Sequence, residues 1–379
     1  MSDFKNLQSL DPVELFGDDI ALLEVLRTLF ASYTSRAYVV GGAVRDFLLG
    51  RKIVEYDIEV YDITWECFET LMQAWGAKGV GEAFFVYRKG CVDCSLPRCE
   101  TKSGKGHTGF DVTITQDLGQ AGRRRDFTVN AMMVNIFTGE MVDIFGGQAD
   151  ISRKILRCID PVTFVEDPLR VFRAMQLGAR LDFCVEPLTQ ALCREVDISD
   201  VTKERITAEF EKLDHRALPQ SGALFFSLGL AYRLYGLDPK DECAFVSRLV
   251  CVVPHKKIKP LILFLATLKE IYHLSFATLA QPFVLSRHDQ RFLHDQYRIP
   301  QSLTPRFLAA LAVKRPLSEW HGQDRIQKGC LIDPSLWERR LSHHYTGHDA
   351  LARGLVGREI GIFLRQCLRT QLLAFKGRQ

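Results

Sequence analysis

The sequence has no run of about 18 apolar residues and no charged-then-apolar leader, since Met1–Pro12 is polar and already contains Asp3 and Asp11. Neither a membrane span nor a secretory signal is expected, and the default address is the cytoplasm. Internal repeats and low-complexity stretches are also lacking. No GxxxxGK[ST] pattern occurs, so any phosphate must be held by something other than a Walker A loop. The formal net charge is only +3, too small by itself to announce a nucleic-acid partner. The 11 cysteines are odd in number and scattered from Cys67 to Cys367, which suits reduced thiols better than a disulfide framework. Cys91-Val92-Asp93-Cys94 has CxxC spacing without a second pair at a zinc-binding distance, and reads as small apolar filler around Asp93.

With 379 residues, 47% of them hydrophobic, the chain can bury two to four ordinary cores. About the first 150 residues read as mixed α/β and the rest as helical. Tyr38–Val40 looks like a strand, Gly41-Gly42 a tight turn, and Ala43–Leu49 a helix closed by Gly50. Val54, Tyr56, Ile58 and Val60 are apolar at period two, with Glu55, Asp57 and Glu59 between them. That pattern predicts a strand with one apolar face and three carboxylates on the other. Hairpins are expected over Phe84–Leu96, turning at Lys89-Gly90, and over Val134–Phe145, turning at Thr138-Gly139. From about Val165 onward apolar residues recur at helical spacing. The end is basic, with eight Lys and Arg against four Asp and Glu from Leu331.

Three carboxylates on one strand face repel one another unless cations or solvent compensate them. An exposed edge strand wearing charge against aggregation is one reading. The other comes from the Gly41-Gly42 turn upstream, which opens a helix carrying Arg45 and Asp46. Free N–H groups at a helix start, with glycines that let an anion approach, form a phosphate cradle. Cradle and carboxylates together are what metal-assisted nucleotidyl transfer requires, because Mg²⁺ takes hard oxygen ligands.

Gly41-Gly42-Ala43-Val44-Arg45-Asp46 followed by the acidic strand resembles the first signature of the class II tRNA CCA-adding enzyme and bacterial poly(A) polymerase family. Four further stretches resemble later signatures in order: Arg124-Arg125-Asp126-Phe127-Thr128-Val129-Asn130-Ala131; Asp143 through Gly146-Gly147 to Asp150 and Arg157; Glu166-Asp167-Pro168-Leu169-Arg170; and Lys203-Glu204-Arg205-Ile206. Near the end, Gly347-His348-Asp349 and Gly357-Arg358-Glu359-Ile360-Gly361 resemble a piece seen in family members, so the chain is expected to be complete. The same alignment argues against His348-Asp349 as a metal-dependent phosphohydrolase pair.

The resemblance implies an α+β fold, with a polymerase β-like mixed-sheet head over residues 1–155, a helical neck over 156–215, and a helical body and tail over 216–379. It implies CCA addition to the tRNA 3′ end from CTP and ATP with two Mg²⁺ ions, with no membrane and no obligatory protein partner. Poly(A) synthesis, CC-only or A-only addition, and a non-catalytic RNA-binding relative remain alternatives. The metal pair falls at Glu55 and Asp57, where the family usually has two aspartates. Asp57 with Glu59 is the alternative pair, and Asp93 stands where a further carboxylate is expected. Nucleotide contacts are expected from Gly41, Gly42, Arg45, Asp46, Arg98, Arg125, Asp126, Asn130, Arg173 and Arg205. Asp167 and Arg170 are implied to read the base: at i and i+3 they share a helix face and can present an acceptor and donors. Without the resemblance, Asp167 reads as an ordinary helix cap. Lys102–Gly109 is expected to be a lid over the nucleotide.

Overall fold

The computed structural model describes residues 7–80, 86–102, 110–252, 258–296, 303–320, 335–341 and 344–374. The expected lid, apart from Lys102, and the first residues of the Phe84–Leu96 hairpin lie outside the described residues. The chain divides into two units, Met1–Arg205 with Ser227–Leu230, and Ile206–Phe226 with Ala231–Gln379.

In the first unit a mixed seven-stranded sheet is ordered β3-β4-β5-β2-β1-β8-β9. Its strands are β1 (Ala37–Val40), β2 (Tyr56–Val60), β3 (Lys78–Gly79), β4 (Val86–Lys89), β5 (Val92–Ser95), β8 (Met133–Asn135) and β9 (Met141–Val142). A separate ribbon pairs β6 (Arg98–Lys102) with β7 (Phe110–Ile114), and a short parallel pair joins β10 (Ile155–Leu156) to β11 (Cys184–Val185). Both expected hairpins are present, β4–β5 and β8–β9.

β1 is central because Ala37, Tyr38, Val39 and Val40 are apolar and all buried, which suits a strand covered on both faces. It runs antiparallel to β2, pairing Val40 with Asp57 and Tyr38 with Glu59, while β2 runs parallel to β5, pairing Asp57 with Asp93. Paired residues share a face of the sheet. Val39, Tyr56, Ile58 and Val60 therefore form the apolar side, where the Phe16 ring stacks on Tyr56 at 4.5 Å. The opposite side is apolar only at one end, where Tyr38, Val40, Tyr61 and Met133 pack with Ala121 and Leu118 of helix Leu118–Arg123. Beyond that cover, Asp57 and Asp93 come into the open.

The expected glycine-led helix is Gly42–Leu48. Helix Gly147–Ser152 sits tight against the loop carrying Thr128: a side chain on Gly147 would place its Cβ 2.5 Å from the Thr128 carbonyl oxygen, so only glycine fits. Asp143 caps that helix by accepting from the Gly147 and Gln148 amides, and buried Asp150 accepts from the Thr128 hydroxyl at 2.7 Å. The unit closes with helices Leu169–Leu181 and Pro187–Glu195.

The second unit is helical. Phe264, on helix Pro260–Tyr272, meets Phe210, Phe225 and Phe245 edge-on at ring separations of 5.5, 5.2 and 5.0 Å. Such edge contacts add to the area that these rings remove from water. A buried pair, Arg248 with Glu270 at 2.8 Å, lies in the same unit. Toward the end, Trp320 is fully buried with Leu308 and Leu311, and Asp349 forms a capping box with Thr346. Asp349 is thus accounted for by helix capping. None of the described helices is long and apolar enough to cross a membrane.

Candidate active site

A cavity of about 410 Å³ opens over the uncovered part of the sheet. Its floor is Asp57 and the Gly41-Gly42 turn, one wall carries Arg45, Arg125, Asp126 and Asn130, and Arg98 comes from the β6–β7 ribbon. The wall is completed by Asp167, Arg170 and Arg173 at the start of helix Leu169–Leu181. Gly41 has φ +72, and a side chain there would press on the Arg125 Nη1 atom at 3.2 Å and approach the Asp57 carboxylate at 3.9 Å. The turn therefore needs glycine for its backbone as well as for room.

Asp57 lies at the bottom of this concavity, its own surface open to solvent but crowded by protein atoms around it. That crowding pushes its carboxyl above the ordinary range. Arg125 pulls it back, while Asp93, Glu55 and Glu59 push it further up. Asp93, its register partner on β5, is held by Arg88 of β4 through two bonds of 2.6 and 2.5 Å.

The other two carboxylates expected beside Asp57 are placed differently. Glu55 precedes β2, is exposed, and does not line the cavity. The strand pairing begins at Tyr56, whose amide donates to the Cys91 carbonyl, so the period-two pattern ran two residues past the ladder. Glu59 is 1% exposed. One of its oxygens accepts from Arg124 and Arg125, each at 2.7 Å, and the other from the Tyr61 hydroxyl at 3.1 Å. Burial alone would raise the Glu59 carboxyl, but the two guanidinium charges and these hydrogen bonds outweigh it and hold the group below its usual range. Glu59 is thus the counter-ion of the arginine pair, with its oxygens turned away from an open coordination site. Among the described residues no cluster of three or more metal-ligating side chains occurs.

Buried Arg45 donates to the Asp46 carboxylate at 2.8 Å and to the Asn130 side chain at 2.5 Å. Asp46 and Asn130 therefore orient it at the cavity wall. Asp126 accepts from the Asn130 amide at 2.9 Å and from Arg173 at 2.6 Å. Burial opposes its charge, yet Arg173 and the Asn130 bond prevail and bring its carboxyl down to about 2. Arg170 is oriented by donating to the Thr163 carbonyl at 2.6 Å and to the Arg124 carbonyl. Asp167 accepts from the Leu169 amide at 3.1 Å, capping the helix, and from Arg205 at 3.0 Å. Arg205 stands behind Asp167 rather than on the cavity wall. Arg124 lines the cavity although only its neighbour Arg125 was singled out from the sequence; the Arg124-Arg125 doublet was the available signal.

Residues 37–157 match the Poly A polymerase head domain. Curated relatives named "Multifunctional CCA protein" include one from Xanthomonas campestris, 36% identical over 230 residues, 55% of this chain and 54% of that protein. Another, from Stenotrophomonas maltophilia, is 40% identical over 192 residues, 47% of this chain and 45% of that protein. The chain spans about half the length of the curated relatives it matches. The fold resembles the Bacillus stearothermophilus CCA-adding enzyme solved with CTP, with a TM-score of 0.67 and 21% identity over 94% of this chain and 93% of that one. It also resembles the Thermotoga maritima CCA-adding enzyme solved with tRNA, with a TM-score of 0.65 and 20% identity over 97% and 95%. The similarity is thus to the Poly A polymerase head domain over residues 37–157 and, in fold, to CCA-adding enzymes over most of the chain.

Proposed function

We propose that the chain adds nucleotides without a template to the 3′ end of tRNA, building CCA from CTP and ATP and releasing pyrophosphate. The observation that carries this is one cavity in which the Asp57 carboxylate and the Gly41-Gly42 turn adjoin Asp167 and Arg170, so that groups suited to the triphosphate and groups suited to a base border the same space. The names of the curated relatives and the CTP and tRNA complexes of the solved neighbours support the same reading.

Asp57 fits Mg²⁺, which keeps several waters and needs only one or two protein carboxylates beside substrate phosphates, while Asp93 on the neighbouring strand would join it only by releasing Arg88. Two such ions would ease deprotonation of the RNA 3′-hydroxyl and stabilise the departing pyrophosphate. Glu55 would serve only by reaching in from outside the strand. The arginines do the remaining electrostatic work. Arg45, Arg125 and Arg173 face the space where triphosphate charge accumulates, and Arg98 approaches from the ribbon.

At the other end, Asp167 is an acceptor whose direction is fixed by Arg205 and the Leu169 amide, and Arg170 is a donor fixed by two carbonyls. Cytosine and adenine both offer an exocyclic amino group to the aspartate and ring acceptors to the arginine. Uracil and guanine set a carbonyl against the carboxylate instead and leave buried groups unpaired, which such sites reject strongly.

The test is incubation of the protein with tRNA transcripts ending before, within and after CCA, each with one labelled nucleotide at a time. Stepwise incorporation of C, C and then A, followed by arrest, is expected. A long A tract would favour the poly(A) alternative, and C alone or A alone would assign partial addition.

A further inference from the structure

Glu59 presents an unusual arrangement: a carboxylate two residues from Asp57 on the same face of β2, fully buried, engaged by two arginines and a tyrosine. Burying one carboxylate with two guanidinium groups is costly unless every charge is paired, and such networks are weak sources of stability. The position of Arg125 shows what the arrangement accomplishes. Its Nη2 donates to Glu59 at 2.7 Å, and its Nε is buried with no hydrogen-bond partner. Arg125 Nη1 and Asp57 Oδ2 approach the same point, the one a Gly41 side chain would fill, at 3.2 and 3.9 Å. Arg125 and Asp57 therefore border the same space beside the glycine, together with the Asn130 carbonyl oxygen at 3.6 Å, and the Asp57 charge acts on Arg125, while Glu59 is the carboxylate that holds the guanidinium on the other side.

We propose that Glu59 is a positioning residue that keeps the Arg125 guanidinium off Asp57, so that the Asp57 carboxylate stays available to a divalent cation. This rests on the reading of Asp57 as a cation ligand. With Glu59 neutralised, Arg125 remains buried and charged, and the remaining carboxylate whose charge acts on it is Asp57. An arginine forked onto a carboxylate occupies the oxygen atoms that a hard cation requires. Arg124 shares the Glu59 oxygen, so the same carboxylate also fixes the stretch whose carbonyl orients Arg170.

The experiment is Mn²⁺ binding to the full-length, nucleotide-free protein, followed by electron paramagnetic resonance at constant pH. Wild type should bind Mn²⁺, and Asp57→Asn should lose that binding; if Asp57→Asn binds as wild type does, the reading of Asp57 fails and the proposal falls with it. If that control holds, Glu59→Gln should weaken Mn²⁺ by about tenfold or more, the scale on which a close opposite charge biases a carboxylate. Adding Arg125→Gln to Glu59→Gln should restore binding to within about twofold of wild type, because the competing charge is gone. The double variant removes the Glu59 and Arg125 charges together, which folds more readily than leaving Arg125 unpaired, and Arg124 remains at the open cavity wall. Double-variant binding as weak as Glu59→Gln, or Glu59→Gln binding as tightly as wild type, would overturn the role of Glu59 while leaving Asp57 as a ligand.

Discussion

Arg205 donates to Asp167 at 3.0 Å across 38 residues of sequence, tying the first turn of helix Lys203–Glu211 to the residue proposed to read the base. Asp167 is both a helix cap and a wall of the cavity, so the two readings that the sequence set against each other describe one side chain. Selection among bases is where they separate. Asp167→Ala should cost roughly 1–3 kcal/mol of discrimination, a loss of about one to two orders of magnitude in relative kcat/KM for C and A over U and G. Arg205→Ala should lower selectivity in the same direction and by less, because Asp167 keeps its bond to the Leu169 amide. Single-nucleotide incorporation kinetics check both. Equal slowing of all four nucleotides would leave Asp167 as a cap alone.

Asp126 gives a pH signature of stability. Its carboxyl is depressed to about 2 in the folded protein from the 3.8 of an unperturbed aspartate. A depressed carboxylate stabilises the fold above its unfolded value and loses that contribution as pH falls through its folded value. The contribution is therefore present above about pH 4, is lost between about pH 4 and pH 2, and amounts to roughly 2 kcal/mol. Urea unfolding across this window should show Asp126→Asn less stable than wild type at pH 7 and closer to it at pH 2. A constant difference from pH 7 to pH 2 would remove Asp126 as the source.

Gly147 is a packing constraint that the sequence marks only as one glycine of a pair. Gly147→Ala drives a methyl into the Thr128 carbonyl oxygen at 2.5 Å and toward the Met132 Cγ at 2.9 Å, and backbone yields less readily than a side chain. A destabilisation of about 1–3 kcal/mol is expected. Gly236→Ala, at φ +68 with open space around it, carries only the backbone strain and should cost about 1 kcal/mol. Thermal melts of the two variants decide this, and a smaller loss at Gly147 than at Gly236 would contradict the close approach.

Much of the site was legible because its signals are local. The strand before Gly41-Gly42, the helix Gly42–Leu48 and the two hairpin turns follow from alternation and glycine placement, and the motif order put Asp57, Asp126, Asp167 and Arg170 around one cavity. What was not legible depends on chain segments far away. Alternation gave Glu59 the same face as Asp57. Only the folded chain brings helix Leu118–Arg123 and the Arg124-Arg125 doublet over that end of the sheet and turns a candidate ligand into a buried counter-ion. Glu55 was misplaced for the opposite reason: alternation continues to residue 54, whereas the ladder starts at Tyr56. Arg205 behind Asp167 and Arg88 on Asp93 are side-chain pairings that periodicity alone cannot reveal.

The most direct measurement is single-turnover transfer from CTP to a tRNA lacking its CCA end, with wild type and Asp57→Ala, each at tRNA concentrations above its separately measured Kd. Asp57→Ala should reduce transfer by about a thousandfold or more while the tRNA Kd stays within about twofold, because the proposed role of the carboxylate is in metal-assisted transfer and not in holding the bulk of the RNA. Transfer by Asp57→Ala at a rate comparable to wild type would place the chemistry somewhere other than this cavity.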